Sequence, residues 1–455
     1  MVWGISRVES DREDETDERQ GGDPIRSREV TEAPGHGDEE GEGDELEHEA
    51  EALRSSTEAP RPLSLDLRRL VARAVETPVA FRPVKLRLLV LAAALALVPP
   101  ALAARPSVDA RAYVVEDGRT GEVLLSRNST SRVPIASLTK MMTVLLTLEH
   151  ARLDDMVTIS PEAAKVGESS IPLRAGERLS VRDLIEACLI QSANDAAWAL
   201  ADHVGHGNVG RFVFMMNRRA RQLGLDETHF VRPDGLDAPG HVSSARDVTE
   251  LARILMQKPV VRRIVAMRDA TISGGRRLHT WNDLLGVYPG VVGVKTGHTS
   301  AAGWSEVAAV RGPGVTVYAT IVGSPARSTR NDDLEELMTW GLSRFRVVPV
   351  ISAGREYARA ETAYDHGSLA LVAPRSIMRA VVVRRPLVER IVAPEGVELP
   401  VRKGQALGEV RVYERGRLVA RSPLVAARSI DEPSAVDRAQ WHLGRAAHNM
   451  WSWVR

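Results

Sequence analysis

The chain has a single cysteine, Cys188, so an intrachain disulfide is excluded and export does not depend on one. Its neighbours, Leu184-Ile-Glu-Ala-Cys188-Leu-Ile, are largely apolar, the setting of a buried, inert thiol. The twelve histidines include no H-E-x-x-H pair and no Cys/His spacing of the kind that holds zinc. No metal and no other cofactor is therefore expected, and no nucleic-acid partner. Long apolar runs are also missing. The run Leu88 to Val98 stops at Pro99-Pro100, short of the ~20 residues a spanning helix needs. Lysine is scarce as well, with six lysines against fifty-four arginines.

Two of those six lysines fall inside short motifs, at positions where arginine cannot substitute. The motifs are Ser137-Leu-Thr-Lys140, Ser192-Ala-Asn194 and Lys295-Thr296-Gly297, separated by about 55 and about 100 residues. Ser137 follows Val133-Pro134-Ile135-Ala136 and opens the helix-compatible run LTKMMTVLLTLEH, which places it at the first turn of a helix. Free backbone N–H groups and the positive end of the dipole there favour a developing oxyanion. Residues i and i+3 share a helix face, so the Lys140 amine can reach the Ser137 hydroxyl. A serine needs a base to become a nucleophile, and a desolvated lysine can be that base where arginine stays charged. Ser192-Ala-Asn194 forms a polar elbow between two helices in LSVRDLIEACLIQSANDAAWALADHV. Its hydroxyl and amide suit proton relay and substrate positioning, and equally suit a helix N-cap. Lys295-Thr296-Gly297-His298 follows Val291-Val292-Gly293-Val294, a strand pattern that would offer Lys295 and Thr296 to a substrate carboxylate. Gly297 would let the substrate backbone approach closely. Each motif alone is common; all three in this order are the residue set of a serine acyl-transfer enzyme activated by lysine.

From Arg111 to Pro433 the chain resembles the low-molecular-mass penicillin-binding proteins that act as D-alanyl-D-alanine carboxypeptidases. Besides the motifs, the stretches LGLDETHFVRPDGLD, VSSARDV, GVVGVKTGHTSAAGW and LMTWGLSRF carry the resemblance. It implies an α/β (α+β) transpeptidase/β-lactamase-like catalytic domain, with a five-stranded antiparallel sheet packed against helices and a small all-β domain behind it. It also implies that Ser137 is acylated by a peptidoglycan stem peptide ending in D-Ala-D-Ala, with Lys140 as general base. Ser192 and Asn194 would assist, Lys295 and Thr296 would bind the terminal carboxylate, and the backbone N–H groups of Ser137 and His298 would hold the oxyanion. β-Lactams would acylate the same serine. A β-lactamase is the nearest enzymatic rival, but the deacylating glutamate of an E-x-x-x-N loop is absent between Asn194 and Lys295. A D,D-endopeptidase using the same residues and a wall-binding protein without turnover are also compatible with the motifs. Ala193 stands where the family often has glycine.

Residues 1–50 hold eighteen acidic and five basic residues, a net charge of −13, and too few large apolar residues for a core. Residues 1–83 are therefore expected to be a disordered acidic extension. Residues 84–104 combine a basic start, the apolar run and Ala101-Leu102-Ala103-Ala104, the pattern of a secretory signal, with an uncleaved anchor as the alternative. No methionine lies between Met1 and Met141, so initiation at or just upstream of Val84 from an alternative codon is expected. The catalytic domain should run over 108–346, with two strands in RAYVVEDGRTGEVLLSRNS and a terminal helix DDLEELMTWGLSRF. Residues 347–432 alternate apolar and polar around glycine turns, as an antiparallel β domain does. In 434–455, Val436, Ala439, Leu443, Ala447, Met450 and Val454 form one helical stripe with basic residues opposite. That pattern suits a helix lying on an anionic membrane, or one docked on the β domain, and Trp441 falls on its polar side. The expected location is the outer face of the cell membrane.

Overall fold

The computed structural model describes residues 104–365 and 367–453. The acidic extension 1–83, the start near Val84 and all but the last residue of the 84–104 signal segment lie outside the described residues, as does Val454 of the C-terminal stripe.

Five strands form the central sheet: β1 (Ala112–Asp117), β2 (Glu122–Arg127), β3 (Val291–Thr299), β4 (Gly303–Gly312) and β5 (Val315–Ser324). Their order is β2-β1-β5-β4-β3 and every pairing is antiparallel. The two-residue period of a strand divides the side chains between two cores. Ala112 and Val114 of β1, with Val307 and Ala309 of β4, face a helical layer. That layer includes α1 (Lys140–His150), α2 (Val181–Glu186), α3 (Asn194–Gly205), α4 (Val209–Gln222) and α5 (Ala245–Leu255). Tyr113, Val115, Ala308 and Val310 point the other way, onto Leu334, Leu337 and Met338 of α6 (Arg327–Ser343). The sheet is thus covered on both faces, which explains why β1 reads as a nearly continuous apolar run instead of alternating. Helix α6 starts five residues before the expected DDLEELMTWGLSRF segment, and Phe345 already belongs to the next strand.

The C-terminal strands are β6 (Phe345–Ile351), β7 (Glu356–Thr362), β8 (Ser368–Val372), β9 (Ile377–Val382), β10 (Leu387–Val392), β11 (Gly396–Val397), β12 (Ala406–Glu414) and β13 (Arg417–Ala426). They make a pair, β6-β9, and a six-stranded sheet ordered β10-β12-β13-β8-β7-β11, around a core of their own. The pairing is not wholly antiparallel as expected: β11 joins β7 in parallel, because a two-residue strand at the edge needs no hairpin to reach it. Strand β6 begins at Phe345, so it straddles the expected 346/347 junction. Glu122 of β2 accepts from Arg385 at 2.6 Å through both oxygens and from Arg415 at 2.7 Å, joining the two regions.

Helix α7 spans Ala435–Trp453 and opens on Ser434, whose hydroxyl accepts from the Asp437 amide at 3.2 Å while the Asp437 carboxylate accepts in return. Trp441, off the apolar stripe, meets the edge of the Tyr364 ring at 5.2 Å, which accounts for its place on the polar side. Val436 and Leu443 of the stripe are exposed. Among the described residues no helix is long and apolar enough to cross a membrane.

Candidate active site

Ser137 lies in the short 3₁₀ turn Ala136–Thr139, which leads into α1. The chain enters this turn through Ala136 at φ +49°, and the loop Arg232–Asp237 fixes it from outside. Gly235, at φ +89°, packs so closely that an added Cβ would lie 2.0 Å from the Ala136 carbonyl oxygen. Thr139 Oγ1 donates to that same carbonyl at 2.8 Å, and Thr143 Oγ1 donates to the Pro233 carbonyl at 2.6 Å. His241 completes the clamp. Its Nδ1 accepts from the Val231 amide at 3.0 Å, which assigns the ring proton to Nε2, 2.8 Å from Thr139 Oγ1. Burial pushes this imidazole down to about 4, so it is neutral at physiological pH.

Lys140, the first residue of α1, is completely buried. Its Nζ donates to Ser137 Oγ at 2.8 Å, Asn194 Oδ1 at 2.7 Å and the Asp234 carbonyl at 2.6 Å. These three acceptors use the three N–H bonds of an ammonium. Burial pushes the amine down to about 8, against the opposing pull of the Asp234 carboxylate. Asp234 is itself sealed. Burial disfavours its ionisation, yet the Arg232 fork at 2.6 and 2.8 Å and the Lys140 charge hold it below the usual carboxylate range.

The second motif sits where α2 relaxes through a π turn, Ala187–Gln191, into Ser192 in the left-handed region at φ +65°. Neither motif side chain caps α3: the N-cap position is Ala193, which makes no side-chain bond. The left-handed step turns Ser192 toward β3 instead, where Lys295 Nζ donates to Ser192 Oγ at 2.9 Å. Asn194 spends its oxygen on Lys140 and its Nδ2 on the Gly167 carbonyl at 3.0 Å. Asp195 anchors the segment from behind, accepting from the amides of Ile171 and Leu173 at 3.1 Å. Cys188 is buried under this turn and its thiol is pushed up to about 12 by burial.

Lys295, Thr296, Gly297 and His298 all lie on β3. A Cβ built on Gly297 would stand 3.1 Å from the Ser137 nitrogen, so the strand runs directly past the serine turn. Burial, then the neighbouring Lys140, hold the Lys295 amine well below its ordinary value. The His298 ring stacks on Trp304 at 4.0 Å between centroids. A cavity of about 220 Å³ opens between the motifs, with Ser137, Ser192, Thr296 and Arg330 in its lining. All eight residues singled out in the sequence thus converge on one cleft.

Three further groups bear on the cleft from outside the three motifs. Asp234 and His241 sit in loop segments whose role is invisible until the loop folds onto the serine turn. Arg330 comes from α6, 35 residues beyond Lys295, and is held by Asp283 at 2.9 Å and Asn331 at 2.6 Å. The arrangement can do definite chemistry. A lysine that loses its proton at mild pH faces a serine hydroxyl, beside a relay hydroxyl and a cationic pocket able to hold an anion.

A lysine-paired serine between helices and the edge of a five-stranded antiparallel sheet defines a serine acyl-transfer hydrolase of the penicillin-binding fold. Residues 100–326 match the family described as D-alanyl-D-alanine carboxypeptidase. The chain is 32% identical over 349 residues to D-alanyl-D-alanine carboxypeptidase DacD of Salmonella typhimurium, spanning 73% of this chain and 89% of that one. It is 31% identical over 373 residues to D-alanyl-D-alanine carboxypeptidase DacC of Escherichia coli, spanning 76% and 91%. Among solved structures, penicillin binding protein 5 of Haemophilus influenzae aligns over 72% of this chain and 100% of its own, with a TM-score of 0.54 and 31% identity. A peptidoglycan synthesis regulatory factor (PBP3) of Streptococcus pneumoniae aligns over 71% and 100%, with a TM-score of 0.57 and 26% identity. The chain belongs to the D-alanyl-D-alanine carboxypeptidase family of serine-type, penicillin-binding hydrolases.

Proposed function

We propose that this protein removes the terminal D-Ala from peptidoglycan stem peptides through an acyl-enzyme on Ser137. The observation that carries the reading is the Lys140 amine, bonded at once to Ser137 Oγ and Asn194 Oδ1. In the neutral amine one N–H is replaced by a lone pair. The bonds to Asn194 and the Asp234 carbonyl then orient that lone pair toward the serine proton. Ser137 Oγ attacks the carbonyl of the penultimate D-Ala while Lys140 takes its proton. The C–N bond breaks, and the proton passes through Ser192, which lies against Lys295, to the leaving amine of D-Ala. The backbone N–H groups of Ser137 and His298 hold the oxyanion. Lys295, Thr296 and Arg330 hold the free carboxylate, and water hydrolyses the ester to regenerate Ser137. β-Lactams, which carry a carboxylate beside their reactive amide, enter by the same step and stay bound.

In this reading residues 108–346 form the catalytic domain, 347–432 a β domain, and 434–455 a helix that rests on the outer face of the cell membrane, reached after export by the 84–104 signal. The exposed Val436 and Leu443 support the membrane role of the helix.

The test is intact-mass spectrometry of the protein after benzylpenicillin, with Ser137→Ala as control. A one-to-one adduct that disappears in the variant, together with D-Ala release from a D-Ala-D-Ala peptide, is the expected result. A well-folded protein that takes up no adduct refutes the reading. For the helix, sedimentation with anionic phospholipid vesicles should be lost in Leu443→Glu.

A further inference from the structure

Glu306 is the buried group the mechanism leaves unused. It lies on β4 directly across the strand pair from Thr296, so the two side chains share one face of the sheet. Its solvent exposure is 0%, and neither carboxylate oxygen has a hydrogen-bond partner among the described residues. Such a group costs stability when ionised and unpaired. Its nearest counter-charge is Arg330 Nε at 3.3 Å. That guanidinium is already shared: Nη2 serves Asp283 and Asn331, and Nε also reaches Asn331 at 3.1 Å. Arg330, which lines the cleft, is therefore also the counter-ion of Glu306.

We propose that Glu306 is a proton-linked positioning residue beneath the carboxylate end of the cleft, loosening the grip of Lys295 and Arg330 on a substrate carboxylate when ionised and restoring it when protonated. The inference rests on the carboxypeptidase reading above and deepens it. Arg330 of α6 touches Glu306, and the other charges that act on it through space are Asp283 from the segment before β3, Lys295 from β3 and Arg327 from α6. With Glu306 and Asp283 ionised, the two guanidinium charges of Arg327 and Arg330 are balanced; with Glu306 protonated, they leave a local charge of +1. A substrate carboxylate entering beside Thr296 becomes the counter-ion that Glu306 otherwise supplies to Arg330. Two carboxylates cannot both remain ionised there without repulsion, so substrate binding draws a proton onto Glu306. Burial already sets the Glu306 carboxyl at about 7, where a modest push decides its state.

Linkage fixes the sign. If the bound carboxylate raises the Glu306 midpoint by about one pH unit, KM rises about tenfold as pH climbs through the titration of the free enzyme. The experiment follows KM and kcat for a D-Ala-D-Ala peptide from pH 5.5 to 8.5 in wild type, Glu306→Gln and Glu306→Leu, with folding checked by thermal melting. Wild-type KM should rise about tenfold across neutral pH. In both variants KM should lose that inflection, with kcat moving less than KM. Acylation by a β-lactam methyl ester, which lacks the free carboxylate, should show no matching inflection in wild type. A KM inflection that persists in Glu306→Gln, or that appears with the ester, overturns the inference. A wild type that turns over with a flat KM profile overturns it while leaving the carboxypeptidase reading intact. A wild type that neither releases D-Ala nor forms an adduct overturns both.

Discussion

The depressed proton affinity of Lys140 sets a quantitative demand on the rate. With the amine at about 8, about one in ten molecules carries the free base at pH 7 and about nine in ten at pH 9. At the ordinary value of 10.5 only about one in three thousand would be free at pH 7, so burial raises the supply of base about 300-fold. The acylation rate should therefore climb about tenfold between pH 7 and pH 9, with unit slope at first and a plateau above the midpoint. Stopped-flow acylation at saturating benzylpenicillin is the appropriate assay, because at saturation the observed rate reports the chemical step and not binding. Lys140→Arg keeps a cation at the site but supplies no base, and should slow acylation by about 10³-fold. A wild-type rate that is flat between pH 6 and pH 9, or a Lys140→Arg variant retaining more than about a tenth of it, would refute the assignment of Lys140 as base.

Gly235→Ala would force a methyl group against the Ala136 carbonyl at a left-handed position; the expected loss is about 2–4 kcal/mol in denaturant titration, with penicillin acylation falling in parallel. His241 should shape the acid limb of stability. The unfolded imidazole takes a proton near 6.5 and the folded one only near 4, so stability falls as pH drops through that window, by up to about 3 kcal/mol, and His241→Gln should flatten this limb in melting curves. Arg330→Leu should raise KM for a D-Ala-D-Ala peptide by about 10- to 100-fold, the worth of one charge-assisted bond, whereas an unchanged KM would remove Arg330 from the carboxylate site.

The cleft is legible in sequence where chemistry demands a residue type at short range. Ser137 and Lys140 are three positions apart on one turn, and the Lys295-Thr296-Gly297 run sits on a strand that its own valines declare. What escapes is whatever depends on long-range closure. The stretch holding Arg232 and Asp234 carries the resemblance, but the part these two charges play appears only where Trp198 and Lys140 enclose the carboxylate. Arg330 looks like one more arginine on a helix in a chain full of them, and only the packing of α6 against β4 sets it over the Trp304 ring at 5.8 Å. The turn at Ser192 reads as a loop elbow, but its direction depends on a π turn and a left-handed serine, and no propensity encodes either. Trp441 breaks the helical stripe for a reason outside the helix, the Tyr364 ring in the turn between β7 and β8.

Glu122 bears on how far this enzyme can reach. Helix α6 ends at Ser343 and strand β6 starts at Phe345, so no length of slack chain separates the two regions, while one carboxylate on β2 gathers Arg385 and Arg415 from the far side of the joint. The cleft is consequently not a head swinging on a tether. A change of that single carboxylate to a lysine would set three cations against one another at the joint, where Arg119 and Glu414, 3.7 Å apart, make a further bridge.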